Sequence, residues 1–170
     1  RTIFDVFKQA DITLDAEHSM FCLYPTKLYK EYIKFAFVRN TWDRLLSCWR
    51  NKVVDSNYFK FSEERLLKMQ KFDNFIDYVA RRNIENCDQH LRLQSKLIDL
   101  NNIDYIGRFE NFEELLAEVA QIMEFGPIKI EQLNTSSKSN SNYVENYDKS
   151  LKAKVAEIYR KDISIFSYEF

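Results

Sequence analysis

Hydrophobic residues recur along this chain at helical spacing in several stretches and crowd into short unbroken runs in others. In the opening RTIFDVFKQA, Ile3, Phe4 and Phe7 share one face and predict a helix whose cap lies upstream of Arg1. An apolar patch from Met20 to Tyr24 ends at Pro25, and the charged and aromatic KLYKEYIK follows. Phe35-Ala36-Phe37-Val38 is a continuous apolar run, the pattern of a buried parallel strand. Behind it, Leu45, Leu46 and Trp49 line one face of a helix that Asn40 or Thr41 can cap, with Asp43 in its first turn. Further helices are predicted from Glu63 to Met69 and from Phe72 to Arg82, the latter on Phe72, Phe75, Ile76 and Val79. Ile103 to Gly107 reads as a second short strand, and Asn111-Phe112-Glu113-Glu114 as a capping box that opens a helix ending near Met123. The polar run from Asn134 to Asn142 predicts a loop. A last helix spans Asp148 to Lys161 on Leu151, Val155 and Ile158, and the tail IFSYEF is expected to dock on the core.

Strand followed at once by helix, twice over, predicts an α/β fold with a short parallel sheet flanked by helices. At 170 residues, 45% hydrophobic and 15% aromatic, the chain is expected to fold as one domain over residues 1–170. Its 25 basic and 26 acidic residues nearly cancel, which argues against nucleic acid as a partner and makes any anion site local. No apolar run approaches the length that spans a bilayer, and oligomeric state has no signature in the sequence. Cys22, Cys48 and Cys87 are odd in number and form no CxxC pair, so free buried thiols are expected rather than a disulfide framework, and no residues are spaced as metal ligands. The bias to Asn, Lys and Ile together with free thiols leans towards a bacterial cytoplasm. A Golgi lumen would require a membrane anchor upstream. The chain begins in helix-like sequence without an initiator Met, so an upstream segment is expected.

The chemistry concentrates between Lys34 and Asn51. There a strand delivers Arg39 from its carboxyl end into the amino terminus of a helix, where unpaired N–H groups carry partial positive charge and ligands of open α/β sheets bind. Arg39 offers a fork that can hold a phosphate through two hydrogen bonds, and Ser47 adds a hydroxyl. The residues alone equally allow an arginine that closes a loop and a neutral helical serine.

The run Arg39-Asn40-Thr41-Trp42-Asp43-Arg44-Leu45-Leu46-Ser47-Cys48-Trp49 resembles the Arg-Asp/Asn-Pro-x-x-Arg-x-x-Ser-x-Tyr signature of Golgi-type and bacterial carbohydrate sulfotransferases. Thr41 stands where that signature has proline, and Trp49 where it has tyrosine. DQHLRLQ, IDYIGRFENFEELL and LKAKVAEIYRKDISIFSYEF extend the resemblance in order and spacing over nearly the whole chain. The resemblance implies a P-loop-NTPase-like sulfotransferase fold and transfer of a sulfuryl group from 3′-phosphoadenosine 5′-phosphosulfate (PAPS) to a hydroxyl, on a carbohydrate or another acceptor, leaving the bisphosphate PAP. It places the cofactor's 3′-phosphate on Arg39 and Ser47, with Arg44 in support. Gly107 and Arg108, ending the second strand, are expected on the same sheet edge, their simpler reading being a turn glycine and a surface arginine.

Sulfuryl transfer needs a base for the attacking hydroxyl, and histidine suits neutral pH. His18 precedes the arginine motif much as the catalytic histidine does in the heparan-sulfate 2-O-sulfotransferases that this region resembles, and it ranks first. His90 is second, and a helical DQHLRLQ would bring Gln94 to the same face, towards an acceptor. Asp88, Glu110 and Glu113 read as solvated or capping groups. The family's Pro-Lys-x-x-Gly/Ser-Thr/Ser loop for the 5′-phosphosulfate has no counterpart in the chain, and its place is immediately upstream of Arg1. A nucleotide kinase-like enzyme would need a phosphate loop and magnesium-binding carboxylates, and neither is visible. The alternative is a non-catalytic nucleotide-binding or protein-interaction domain that kept the fold.

Overall fold

The computed structural model describes residues 30–122 and 143–170. The expected opening helix, the patch near Met20, the candidate base His18, Cys22 and the polar run 134–142 lie outside the described residues. The described chain divides into two compact units, one of residues 30–37 and 101–122 and one of residues 38–100 and 143–170.

The first unit holds a two-stranded parallel sheet. Strand β1 is Phe35–Val38, its last residue belonging to the second unit, and its sheet neighbour β2 is Tyr105–Arg108. Pairing starts where Lys34 O accepts both Asp104 N and Tyr105 N, and Asp104 Oδ2 accepts Lys34 N at 2.7 Å. β2 starts two residues later and ends one residue later than the expected strand from Ile103 to Gly107. The β1 residues before Val38 are half-buried rather than buried, because each strand has one sheet neighbour among the described residues. A 3-10 turn, Phe109–Asn111, leads into helix α4, Phe112–Ile122, whose Phe112 ring packs on Phe37 with centroids 4.8 Å apart.

The second unit is helical. Helix α1, Thr41–Trp49, buries Trp42, Leu45, Leu46 and Cys48 and runs into a π-helical turn, Arg50–Val54, which brings Val53 into the core. Helix α2 is Glu63–Met69 and helix α3 is Phe72–Ala80, whose Phe75, Ile76 and Val79 are fully buried as their spacing predicts. Burying each such side chain is worth about 1.5–3 kcal/mol. Helix α5, Lys149–Ile158, is capped by Asp148 Oδ1 accepting Leu151 N at 2.8 Å. Helix α6, Arg160–Phe166, follows after a one-residue break at Tyr159. The single helix expected from Asp148 to Lys161 is thus two, and Val155, Tyr159, Asp162 and Phe166, all buried, keep one helical face across the break.

The tail docks as expected. Ser167 closes α6 in the left-handed region, φ 51°, and turns the chain so that Phe170 meets the Trp42 ring edge-on at 5.4 Å. Trp42 is further fixed by its indole N–H donating to Lys152 O and by its own carbonyl accepting the Tyr147 hydroxyl.

Candidate active site

β1 gives way to α1 over Arg39 and Asn40. Asn40 Oδ1 accepts Trp42 N at 3.1 Å, which makes Asn40 the cap, and its amide donates to Glu169 O at 2.8 Å, tying the docked tail to the helix start. Arg39 is gripped through its backbone. Its N–H donates to Gln94 Oε1 at 2.9 Å and its carbonyl accepts Gln94 Nε2 at 3.0 Å, so one buried amide satisfies both main-chain groups. The Arg39 side chain donates through Nε to Asp43 Oδ2 at 2.6 Å, one helical turn on.

Gln94 is itself anchored by Asp162, a fully buried carboxylate. Asp162 Oδ2 accepts Gln94 N at 2.6 Å, while Oδ1 accepts Ser95 N at 3.0 Å and the Ser95 hydroxyl at 2.6 Å. The preceding segment is held in the same manner, by side chains on carbonyls. Arg44 donates to Arg92 O and Gln89 O, each at 3.0 Å, Arg92 donates to Cys87 O, and the Tyr159 hydroxyl donates to Leu91 O at 2.9 Å. These contacts explain why DQHLRLQ forms turns rather than the helix that would align His90 with Gln94. Gln94 therefore does not face an acceptor, because its amide is spent on Arg39. Arg44 acts as a brace for this segment.

Two hydroxyls on α1 stand out. Thr41 Oγ1 is buried and has no hydrogen-bond partner among the described residues, a state that costs about 1–3 kcal/mol. Ser47 is half-buried, and its hydroxyl makes no hydrogen bond among the described residues. The start of a capped helix, beside an arginine whose backbone is clamped, is an arrangement that fits an anion.

His90 is oriented by Asp88, whose Oδ1 lies 2.9 Å from both the His90 backbone N and ring Nδ1. Asp88 Oδ2 accepts the Tyr58 hydroxyl at 3.3 Å, and the Tyr58 ring meets the His90 ring edge-on at 4.7 Å. Burial pushes the Asp88 carboxyl up, but the His90 N–H, the His90 ring and the Tyr58 hydroxyl outweigh it and hold the group below the usual carboxylate range. The charge of Asp88 in turn raises the Tyr58 phenol. Cys48 and Cys87 are free thiols, and burial pushes Cys48 up to about 12, so it is not a nucleophile at neutral pH. No metal-ligand cluster occurs among the described residues.

A sequence model described as "Sulfotransferase family" matches residues 9–169. The chain belongs to the sulfotransferase family. Two curated relatives of this sulfotransferase chain, both named carbohydrate sulfotransferase 11, come from Rattus norvegicus and Mus musculus. Each is 24% identical in an alignment of length 168 that covers 82% of this chain and 47% of the relative. The chain thus spans about half the length of the curated relatives it matches. No solved structure matches at the same stringency. The α/β class read from the sequence agrees with the family and with the sheet and helices observed.

Within this sulfotransferase chain Arg39, Arg44, Ser47 and His90 fall in the second unit, and Gly107 and Arg108 in the first. Gly107 is buried inside β2 with negative φ, so it is a strand residue rather than a turn glycine, and Arg108 is exposed. Sequence reading missed Asp162. Its signal was a carboxylate on the apolar stripe Val155, Tyr159, Phe166, a placement that requires internal hydrogen bonds.

Proposed function

We propose that this chain supplies the 3′-phosphate side of a PAPS site in a carbohydrate sulfotransferase. The observation that carries the proposal is the two-way Gln94 clamp on Arg39 at the start of α1. Family membership and relatives named as carbohydrate sulfotransferases support it. Arg39 and Ser47 would hold the 3′-phosphate, with Arg44 bracing the neighbouring segment. PAPS, when bound, supplies the sulfuryl group that is transferred.

The residues of this chain would then bind, orient and move a proton. The amino terminus of α1 presents N–H groups with partial positive charge, and the backbone clamp fixes where the Arg39 side chain starts. The base would take the proton from the acceptor hydroxyl, whose oxygen would bond to sulfur as the S–O bond to the 5′-phosphate breaks and PAP leaves. His18 is the first candidate. His90 is the second, supported by an Asp88 carboxylate that can hold the Nδ1 proton and orient the ring, leaving Nε2 to accept. The acceptor is proposed as a carbohydrate hydroxyl. The relatives are both from rodents and lend the bacterial-cytoplasm expectation no support. Among the described residues no helix is long and apolar enough to cross a membrane.

The test is sulfate transfer by the full-length protein, given PAPS and a panel of oligosaccharides. Sulfated sugar and PAP should form in equal amounts. PAP binding with no transfer to any sugar, peptide or small alcohol would favour a domain that kept the fold and lost the chemistry.

A further inference from the structure

Between α2 and α3 the second unit carries a cleft of about 340 Å³. Its walls include Arg65 and Lys68 from α2, Asp77 and Tyr78 from α3, and Arg81 and Arg82 just beyond α3. Lys68 is matched by Glu64 at 2.7 Å, and Asp77 is matched by Lys154. Arg65, Arg81 and Arg82 have no ion pair or side-chain hydrogen bond among the described residues. Three positive charges therefore stand unmatched around one cleft, in a chain whose formal net charge is −1.

Two of these guanidiniums rest on aromatic rings. That of Arg82 lies 4.2 Å from the Tyr78 centroid, and that of Arg65 lies 5.2 Å from both the Tyr78 and Phe61 centroids. Resting on the rings limits their rotamers, so less freedom is lost when each fork binds. It also covers Tyr78, which is then not open as a stacking platform for a nucleobase. What the cleft offers a ligand is several N–H forks and excess positive charge.

We propose that this cleft is a second anion site, built from residues other than those around Arg39, that takes a tetrahedral oxyanion: the sulfate or phosphate group of a monoester. A carboxylate presents two oxygens and satisfies one fork, whereas a monoester presents three and can bridge two or three guanidiniums. The cleft is large enough for such a group with part of the molecule that carries it. The proposal does not depend on the reading of the Arg39 site.

NMR titration of the chain with glucose 6-sulfate, glucose 6-phosphate, inorganic sulfate and glucose tests it. Both esters should shift the Arg65 and Arg82 Nε signals, and glucose should not. An Arg65→Ala, Arg82→Ala double variant should bind the esters about tenfold or more weakly while keeping its thermal midpoint. The response should persist in Arg39→Ala, which separates this cleft from the proposed nucleotide site. Esters that bind more tightly than inorganic sulfate would place the sugar in the cleft, and equal binding would make the ion alone sufficient; either supports the site. Absence of shifts, unaltered affinity in the double variant, or loss of the response in Arg39→Ala would overturn it.

Discussion

Replacing Asp162 with alanine should destabilise the second unit by about 3 kcal/mol or more, read as a lower urea midpoint at unchanged slope. The carboxylate is fully buried and accepts from Gln94 N, Ser95 N and the Ser95 hydroxyl. Alanine leaves those donors in place with nothing to meet them, and each orphaned buried group costs about 1–3 kcal/mol. Asp162→Asn should cost less, since one oxygen remains an acceptor while the amide N–H₂ opposes a donor. As a control, Glu157→Ala removes a partner of Arg160 at a highly exposed pair and should fall within about 0.5 kcal/mol of the parent. A loss below about 1 kcal/mol for Asp162→Ala would mean that the three donors find other partners, and the anchor role would be withdrawn.

The largest kinetic effect is expected at the base. In the full-length protein, His18→Ala should lower turnover about a hundredfold or more, with a much smaller change in the KM for PAPS. His90→Ala should then be mild. The competing outcome is as clear: if His90→Ala carries the loss and Asp88→Asn follows it, the Asp88-supported imidazole is the base. That second pattern has structural logic behind it, because the Asp88 carboxylate fixes the His90 ring through Nδ1. Full turnover in both alanine variants would remove histidine from the role.

Much of the local structure was legible because period and capping agree. Glu63–Met69 agrees to the residue, and the strand at Phe35 with a cap at Asn40 or Thr41 follows from an apolar run meeting a side-chain acceptor, the structure choosing Asn40. The alternation of strand and helix was enough for the α/β class. What could not be read was structure made by distant side chains. The segment around His90 has helical spacing, yet Arg44, Tyr159 and Asp162 reach its backbone from elsewhere in the chain and hold it as turns. A one-residue break at Tyr159 leaves the apolar stripe intact and so leaves no trace in the pattern.

The candidate site shows the same division. Arg39 and Ser47 were visible as residue types in the right order, since a strand, an arginine and a capped helix are local features. The clamp on Arg39 was not, because Gln94 lies far along the chain and its amide could as well have faced solvent or a ligand. Asp162, which holds Gln94, lies further still. In each case the missing information is a tertiary hydrogen bond between an ordinary polar side chain and main-chain groups that no local rule would assign to it.

The most direct test of the central claim is calorimetric binding of PAP against 5′-AMP, which lacks the 3′-phosphate, with Arg39→Ala as the comparison. PAP should bind more tightly than 5′-AMP by about tenfold or more, and Arg39→Ala should erase the margin while leaving the weaker 5′-AMP binding in place. Equal affinity for the two nucleotides, or PAP binding undiminished in Arg39→Ala, would contradict it and take the phosphate away from the start of α1.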